Sequence, residues 1–194
     1  MIFRIICLWL FVLILAGCVS REGKRGNTVQ VTPGVTVAMP LPAQLGYNLT
    51  ASQLVTVEYD GERHQLPVQL EVEAGRLALA GFSSWGQRIM SLTYEKRVIS
   101  TLVMSGLAEK LPDPGQVLFN VMLSLWPPEA WNPLLTSVGW RLKVGPKQRL
   151  LINDQGDIVV TIRYESELHL DGAILFVNHP LKLKVTIKTL NYNR

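Results

Sequence analysis

Strict alternation of apolar and polar residues constrains this chain more than any other feature. In the C-terminal run, Leu181, Leu183, Val185 and Ile187 alternate with Lys182, Lys184, Thr186 and Lys188. The same period recurs in residues 55–59, in 66–72, at Leu77 and Leu79, and in 158–164. Successive side chains of an extended strand point to opposite faces, so each run describes a strand with one dry and one wet face. Asp60-Gly61, Ala74-Gly75, Asp154-Gln155-Gly156 and Asp171-Gly172 punctuate the runs at short intervals. Connections this short favour antiparallel hairpins over crossover helices. About five strands are expected before residue 105 and about five after 138, a meander large enough to curl.

Between the two halves the period changes. Pro112-Asp113-Pro114-Gly115 combines a stop with a helix start, Asp113 serving as N-cap and Pro114 as first helical residue. In residues 116–126 the polar positions Gln116, Asn120 and Ser124 recur every fourth residue, and every other side is apolar. So thin a polar stripe predicts a helix buried around most of its circumference. Pro127-Pro128 ends it, and a second short helix is expected from Glu129 to about Ser137. The fold class expected is mainly β with inserted helices (α+β). It is a curved antiparallel sheet forming an incomplete half-barrel of about ten strands, with an apolar helix over its concave face.

Composition narrows the function more than it defines it. With 194 residues, 48% of them hydrophobic and 18% charged, the chain suits one folded domain and excludes a disordered, solvating protein. The formal net charge of +4 is scattered, so no nucleic-acid partner is expected. The two cysteines make no disulfide framework, and His64, His169 and His179 lie far apart, so neither a metal site nor a cofactor is expected. Each histidine is read as a surface turn residue. Gly81-Phe82-Ser83-Ser84-Trp85-Gly86 fails as a nucleophile elbow, because neither serine has glycine two places away on both sides, and it reads as a loop between strands. Glu165 and Glu167 read as solvated acids, and Lys182, Lys184 and Lys188 as a solvated face with edge-protecting lysines. With no nucleophile–base pair in view, no catalytic residue and no enzyme is expected.

The first eighteen residues hold one positive charge, Arg4, then an apolar stretch from residue 5 to 15, then Ala16, Gly17 and Cys18. About eleven apolar residues suit a signal peptide and fall short of the roughly 20 needed to span a bilayer. Leu15-Ala16-Gly17-Cys18 resembles the lipobox of bacterial lipoproteins. That resemblance implies cleavage before Cys18 and acylation of Cys18, with palmitate as a suitable label. The expected organisation is a signal peptide at 1–17, a lipidated cysteine and flexible tether at 18–33, and a lipid-binding-like half-barrel at 34–194. Val19 replaces the aspartate that marks inner-membrane retention in enteric bacteria, so the resemblance implies anchoring at the periplasmic face of the outer membrane. Arg21, Lys24 and Arg25 are placed near lipid headgroups by this reading, although a solvated linker serves equally well.

Leu41-Pro42-Ala43-Gln44-Leu45-Gly46, Val68-Gln69-Leu70-Glu71, Gly86-Gln87-Arg88, Leu123-Ser124-Leu125-Trp126-Pro127, Gly139-Trp140-Arg141-Leu142 and Ile162-Arg163-Tyr164, taken with the lipobox, resemble one bacterial lipoprotein family. It is the domain-of-unknown-function 3261 family, often encoded in aryl-polyene clusters and similar in fold to the Lol-system lipoprotein carrier and receptor. The resemblance implies an apolar cavity for acyl chains under the helices. The expected ligand-binding residues are Phe119, Leu123, Trp126 and Trp131. Expected partners are the membrane, through the lipid anchor, a hydrophobic small molecule or acyl chain, and a periplasmic partner protein. The function expected is binding an acyl-like ligand or lipidated cargo in aryl-polyene or lipoprotein transport to the outer membrane. The alternative is a structural or assembly lipoprotein that docks a partner protein without a ligand.

Overall fold

The structure, a computed structural model, describes residues 21–107 and 113–194. The segment expected to be a signal peptide and Cys18 lie outside the described residues. Thirteen strands and two helices follow one another: β1 (Arg21–Arg25), β2 (Thr28–Thr32), β3 (Val35–Ala38), β4 (Leu49–Tyr59), β5 (Glu62–Glu73), β6 (Arg76–Phe82), β7 (Arg88–Glu95) and β8 (Val98–Val103). Helices α1 (Pro114–Leu125) and α2 (Pro128–Thr136) come next. The chain ends with β9 (Arg141–Gly145), β10 (Gln148–Ile152), β11 (Ile158–Tyr164), β12 (Ala173–Asn178) and β13 (Leu183–Asn193).

Eleven strands form one curved, unclosed antiparallel sheet in the order β1-β8-β7-β6-β5-β4-β13-β12-β11-β10-β9. The two meanders meet at β4 and β13, which pair along almost their full length, Val57 opposite Val185 and Val55 opposite Ile187. Turn chemistry sets the hairpins: Asp60 and Gly61 both have positive φ (50° and 79°), the conformation whose twist matches a two-residue hairpin. The inward faces are Val68, Leu70 and Val72; Leu77 and Leu79; Met90, Leu92 and Tyr94; and Ile174 and Phe176, all buried in one continuous core.

Three differences from the sequence reading bear on function. The expected flexible tether at 18–33 is folded from Arg21 onward. Strand β1 pairs with β8 as the sheet's outer strand, Arg21 opposite Val103 and Arg25 opposite Ile99. Gly23 permits this approach, because a Cβ there would stand 2.9 Å from Thr101 Oγ1. Strands β2 and β3 form a hairpin that buries Val29, Val31 and Val37. The folded domain therefore begins well before residue 34; alternation over three short valine positions was too brief to outweigh the charges around it. Arg25 bonds Asp113, the N-cap of α1, at 2.9 Å.

The lysines of β13 do not protect an edge either, since β13 lies between β4 and β12 in the sheet interior. They are solvated on its outer face, and Lys184 reaches Glu58 at 2.9 Å. The cover on the concave side is larger than the single helix expected. Helix α1 packs on β2 and β12, and α2 on β9 and β3, so two helices and a hairpin together fill the trough. No helix among the described residues is long and apolar enough to cross a membrane.

Candidate functional site

Helix α1 starts as its sequence demands: the Asp113 side chain accepts from the Gln116 backbone N–H at 3.1 Å, with Pro114 in the first turn. Its polar stripe is buried and satisfied within the helix. Gln116 Nε2 donates to Asn120 Oδ1 at 3.1 Å, and Ser124 Oγ to the Asn120 carbonyl at 2.7 Å. The Trp126 indole N–H donates to the Leu41 carbonyl and that of Trp131 to the Met122 carbonyl. The Trp131 ring meets Phe119 edge-on, with centroids 5.6 Å apart.

The structure brings the four expected ligand-binding residues together but does not make them cavity walls. Phe119, Leu123, Trp126 and Trp131 are each 0% exposed. A void wide enough for water beside any of them would leave accessible surface, so in this form they are packed core. In this form α1, α2 and the β2–β3 hairpin fill the trough in which a ligand would lie.

The sequence reading missed the residue that ties this plug to the sheet. Arg149 on β10 is 3% exposed, and its Nη1 donates to the Leu123 carbonyl at 2.8 Å and the Trp126 carbonyl at 2.7 Å. Leu123 lies in the last turn of α1 and Trp126 is its C-cap, where the helix has no donors of its own and its dipole favours a cation. Tyr164 on β11 adds a third tie, its hydroxyl donating to the Ser124 carbonyl at 2.7 Å. The Arg149 Nε is buried without a partner among the described residues. Burial lowers the guanidinium's pKa and raises that of the Tyr164 phenol, which the neighbouring cation opposes. A signal existed in the sequence: Arg149 shares the inward parity of Leu151, and a charge at a core position asks for a partner.

His169 also departs from expectation. It is half-buried and stacked on the Tyr164 ring at 3.8 Å, whereas His64 bonds Glu62 and His179 bonds Thr161 on the surface. Burial, with the Arg149 and Arg194 cations adding to it, pushes the His169 pKa down to about 4. An unfolded histidine titrates near about 6.5, so at neutral pH both folded and unfolded chains hold it neutral. As pH falls below that value the unfolded chain binds the proton first, and stability declines until the folded ring also protonates near 4. Over that window the melting temperature of wild type should fall more than that of His169→Phe. Identical pH profiles would show that His169 plays no part in acid sensitivity.

Other candidates fall away. Among the described residues no cluster of His, Cys, Asp or Glu could hold a metal. Gly81 and Phe82 end β6, and Ser83 to Gly86 lie in the β6–β7 turn, with the Gly86 N–H donating to the Ser83 carbonyl at 3.0 Å. Glu165 is used locally, accepting from the Ala173 N–H at 2.8 Å. An open groove of about 580 Å³ beside the β9–β10 turn is lined by Lys147, Arg163, Tyr164 and Glu167, a mixed-charge surface unlike the apolar cavity expected.

Comparison with known proteins places this architecture. The family model described as "Protein of unknown function (DUF3261)" matches residues 50–191. The chain belongs to the DUF3261 family. Strands β1 to β3 precede the matched segment, so much of the plug's packing comes from outside the DUF3261 match. The DUF3261 chain is similar to a putative outer membrane lipoprotein-sorting protein domain from Vibrio parahaemolyticus: identity is 9%, over 75% of this chain and 84% of that one, with TM-score 0.41. It is similar also to MucB in the Pseudomonas aeruginosa MucA/MucB complex (17% identity, 79% of this chain and 54% of that one, TM-score 0.37). A further MucB structure aligns at 14% identity over 79% of this chain and 55% of that one, with TM-score 0.37. The chain spans about half the length of the MucB chains it matches. No curated protein sequence matches it.

Proposed function

We propose that this DUF3261 protein is a lipid-anchored, non-catalytic binder of one acyl-like chain, whose binding surface is closed by a movable plug. In this reading the first seventeen residues are a signal peptide, Cys18 carries the lipid, and the domain works at the periplasmic face of the outer membrane. Its cargo is a lipidated or polyene-bearing molecule in transit to that membrane. The observation that carries the proposal is the plug. Helices α1 and α2 form one contiguous insertion between β8 and β9 and contribute no strand to the sheet. They can therefore move without breaking a ladder. The carbonyls at the C-terminal end of α1 are held to the sheet by polar ties from Arg149 and Tyr164 rather than by apolar packing alone. Displacement of the plug would expose Phe119, Leu123, Trp126 and Trp131 together with the inward sheet face, an apolar trough of the kind that accepts chains.

The rival is a structural or assembly lipoprotein that docks a partner protein through its outer surface, and the fully packed core favours it. Titration of the full chain with a fluorescent polyene fatty acid, with amide exchange followed in parallel, separates the two. The binder reading expects saturable one-to-one uptake and faster exchange in α1 when ligand is bound. Absence of uptake, with α1 amides exchanging only on global unfolding, would make the helices plain core and leave the docking reading in place.

A further inference from the structure

Trp85 is the most exposed large apolar side chain among the described residues, at 87%. It is not on a loose loop. The Ser83 N–H donates to the Gln87 carbonyl at 2.8 Å, the Gly86 N–H to the Ser83 carbonyl at 3.0 Å, and the Gln87 N–H to Ser83 Oγ at 3.2 Å. Gly86 at φ 80° closes the turn in a conformation that side-chain-bearing residues avoid. An indole is thus held outward on a rigid tip, with exposed Arg88 at its base and the 44%-exposed Leu102 on a nearby strand. Solvated tryptophans are costly, and a fixed one calls for a partner that accepts both ring and N–H.

The sheet register says what lies at this end. Arg21 stands opposite Val103, Val103 opposite Met90, and Met90 opposite Gly81. The described chain therefore begins level with the base of the Trp85 turn. Two strand spacings of about 4.8 Å separate Arg21 from Met90 and three separate it from Gly81 across the sheet. Cys18 is three residues upstream, and three residues reach at most about 10 Å. A lipid on Cys18 would hold this end of the domain against the bilayer.

We propose that the β6–β7 turn is a membrane-contact site in which Trp85 seats in the lipid headgroup region, assisted by Arg88, and orients the half-barrel on the membrane. This rests on the lipid-anchor reading of the preceding subsection and adds an orientation to it. Tryptophan is at home at the membrane interface because its body is apolar and its N–H polar. The remaining described tryptophans, Trp126, Trp131 and Trp140, are at most 5% exposed and should be silent to a quencher in the lipid. The opposite end of the sheet carries exposed Leu168, on the loop that follows β11.

The test uses the full chain matured in its host and reconstituted into phosphatidylethanolamine/phosphatidylglycerol vesicles with or without brominated acyl chains. Intact mass first reports cleavage and acylation at Cys18, and flotation reports anchoring. The emission lost on Trp85→Phe isolates the Trp85 signal, which should fall at least about twofold in brominated vesicles and shift to the blue. Trp85→Phe/Leu168→Trp, with the reporter at the opposite end, should remain unquenched. An acylated, floating protein whose Trp85 is not quenched, or whose Leu168→Trp reporter is quenched instead, overturns the contact site while the anchor stands. An unacylated chain that does not float defeats the anchor reading, and the contact site with it.

Discussion

Trp131→Ala should lower the unfolding free energy by about 3–5 kcal/mol, the cost typical of deleting a large buried aromatic ring and leaving its space unfilled. A domain of this kind has only about 5–15 kcal/mol in total, so the variant should melt far below wild type and lose solubility on expression. The expectation follows from three features of the site. Trp131 is 0% exposed, its ring lies edge-on against Phe119, and it joins α2 to the last turn of α1. Volume should dominate over the hydrogen bond, because the Met122 carbonyl that accepts from Trp131 also accepts the Trp126 backbone N–H at 2.9 Å and stays satisfied. Trp131→Phe should accordingly cost less than half as much. Chemical denaturation of the three proteins measures the order, and equal losses for Phe and Ala would show that the indole N–H, not packing, carries the contact.

Arg149→Met should cost about 2–4 kcal/mol, since hydrogen bonds from a charged donor contribute about 1.5–3 kcal/mol each and two carbonyls lose theirs. Part of that loss is offset, because the substitution also removes a buried charge and the unpartnered Nε. The functional effect is the more telling one. If Arg149 holds the plug closed, the closed form competes with ligand, and weakening it raises the competent fraction and tightens binding in proportion. Arg149→Met should therefore be less stable than wild type yet take up the fluorescent polyene fatty acid more tightly. Tyr164→Phe, which loses only the tie to the Ser124 carbonyl, should show the same pairing in smaller measure. Reduced stability with unchanged uptake in both variants would separate the polar ties from ligand access and leave Arg149 as a helix C-terminal cap.

The hairpins were readable because their cause is local. Asp60-Gly61 makes its own turn, and 66–72 and 160–164 declare their dry faces by parity. Helix α1 was readable because Asp113, Pro114 and the fourfold polar spacing all act within a few residues. The contribution of the N-terminal segment was not readable, since β1 gains its stability from residues about eighty positions away, and nothing in Arg21–Arg25 is apolar. The candidate site was only half legible. Phe119, Leu123, Trp126 and Trp131 were recognisable as apolar residues of one unit, but whether such residues face a cavity or a packed core depends on what else fills the trough. Here the β2–β3 hairpin and α2 fill it.

By itself, the sequence determined the strand-rich composition, the hairpins from β4 onward that carry strong turn signals and the two helices, because backbone preference and apolar alternation act over a handful of neighbours. Only the tertiary structure decided that the lysine-bearing β13 lies in the middle of the sheet and that the segment after residue 20 completes one edge. Only it showed that Arg149 reaches the end of α1, and that Trp85 stands at the end of the sheet where the described chain begins. Those outcomes depend on strand order, and strand order is set by contacts between residues far apart in the chain, whose free energy no local pattern contains.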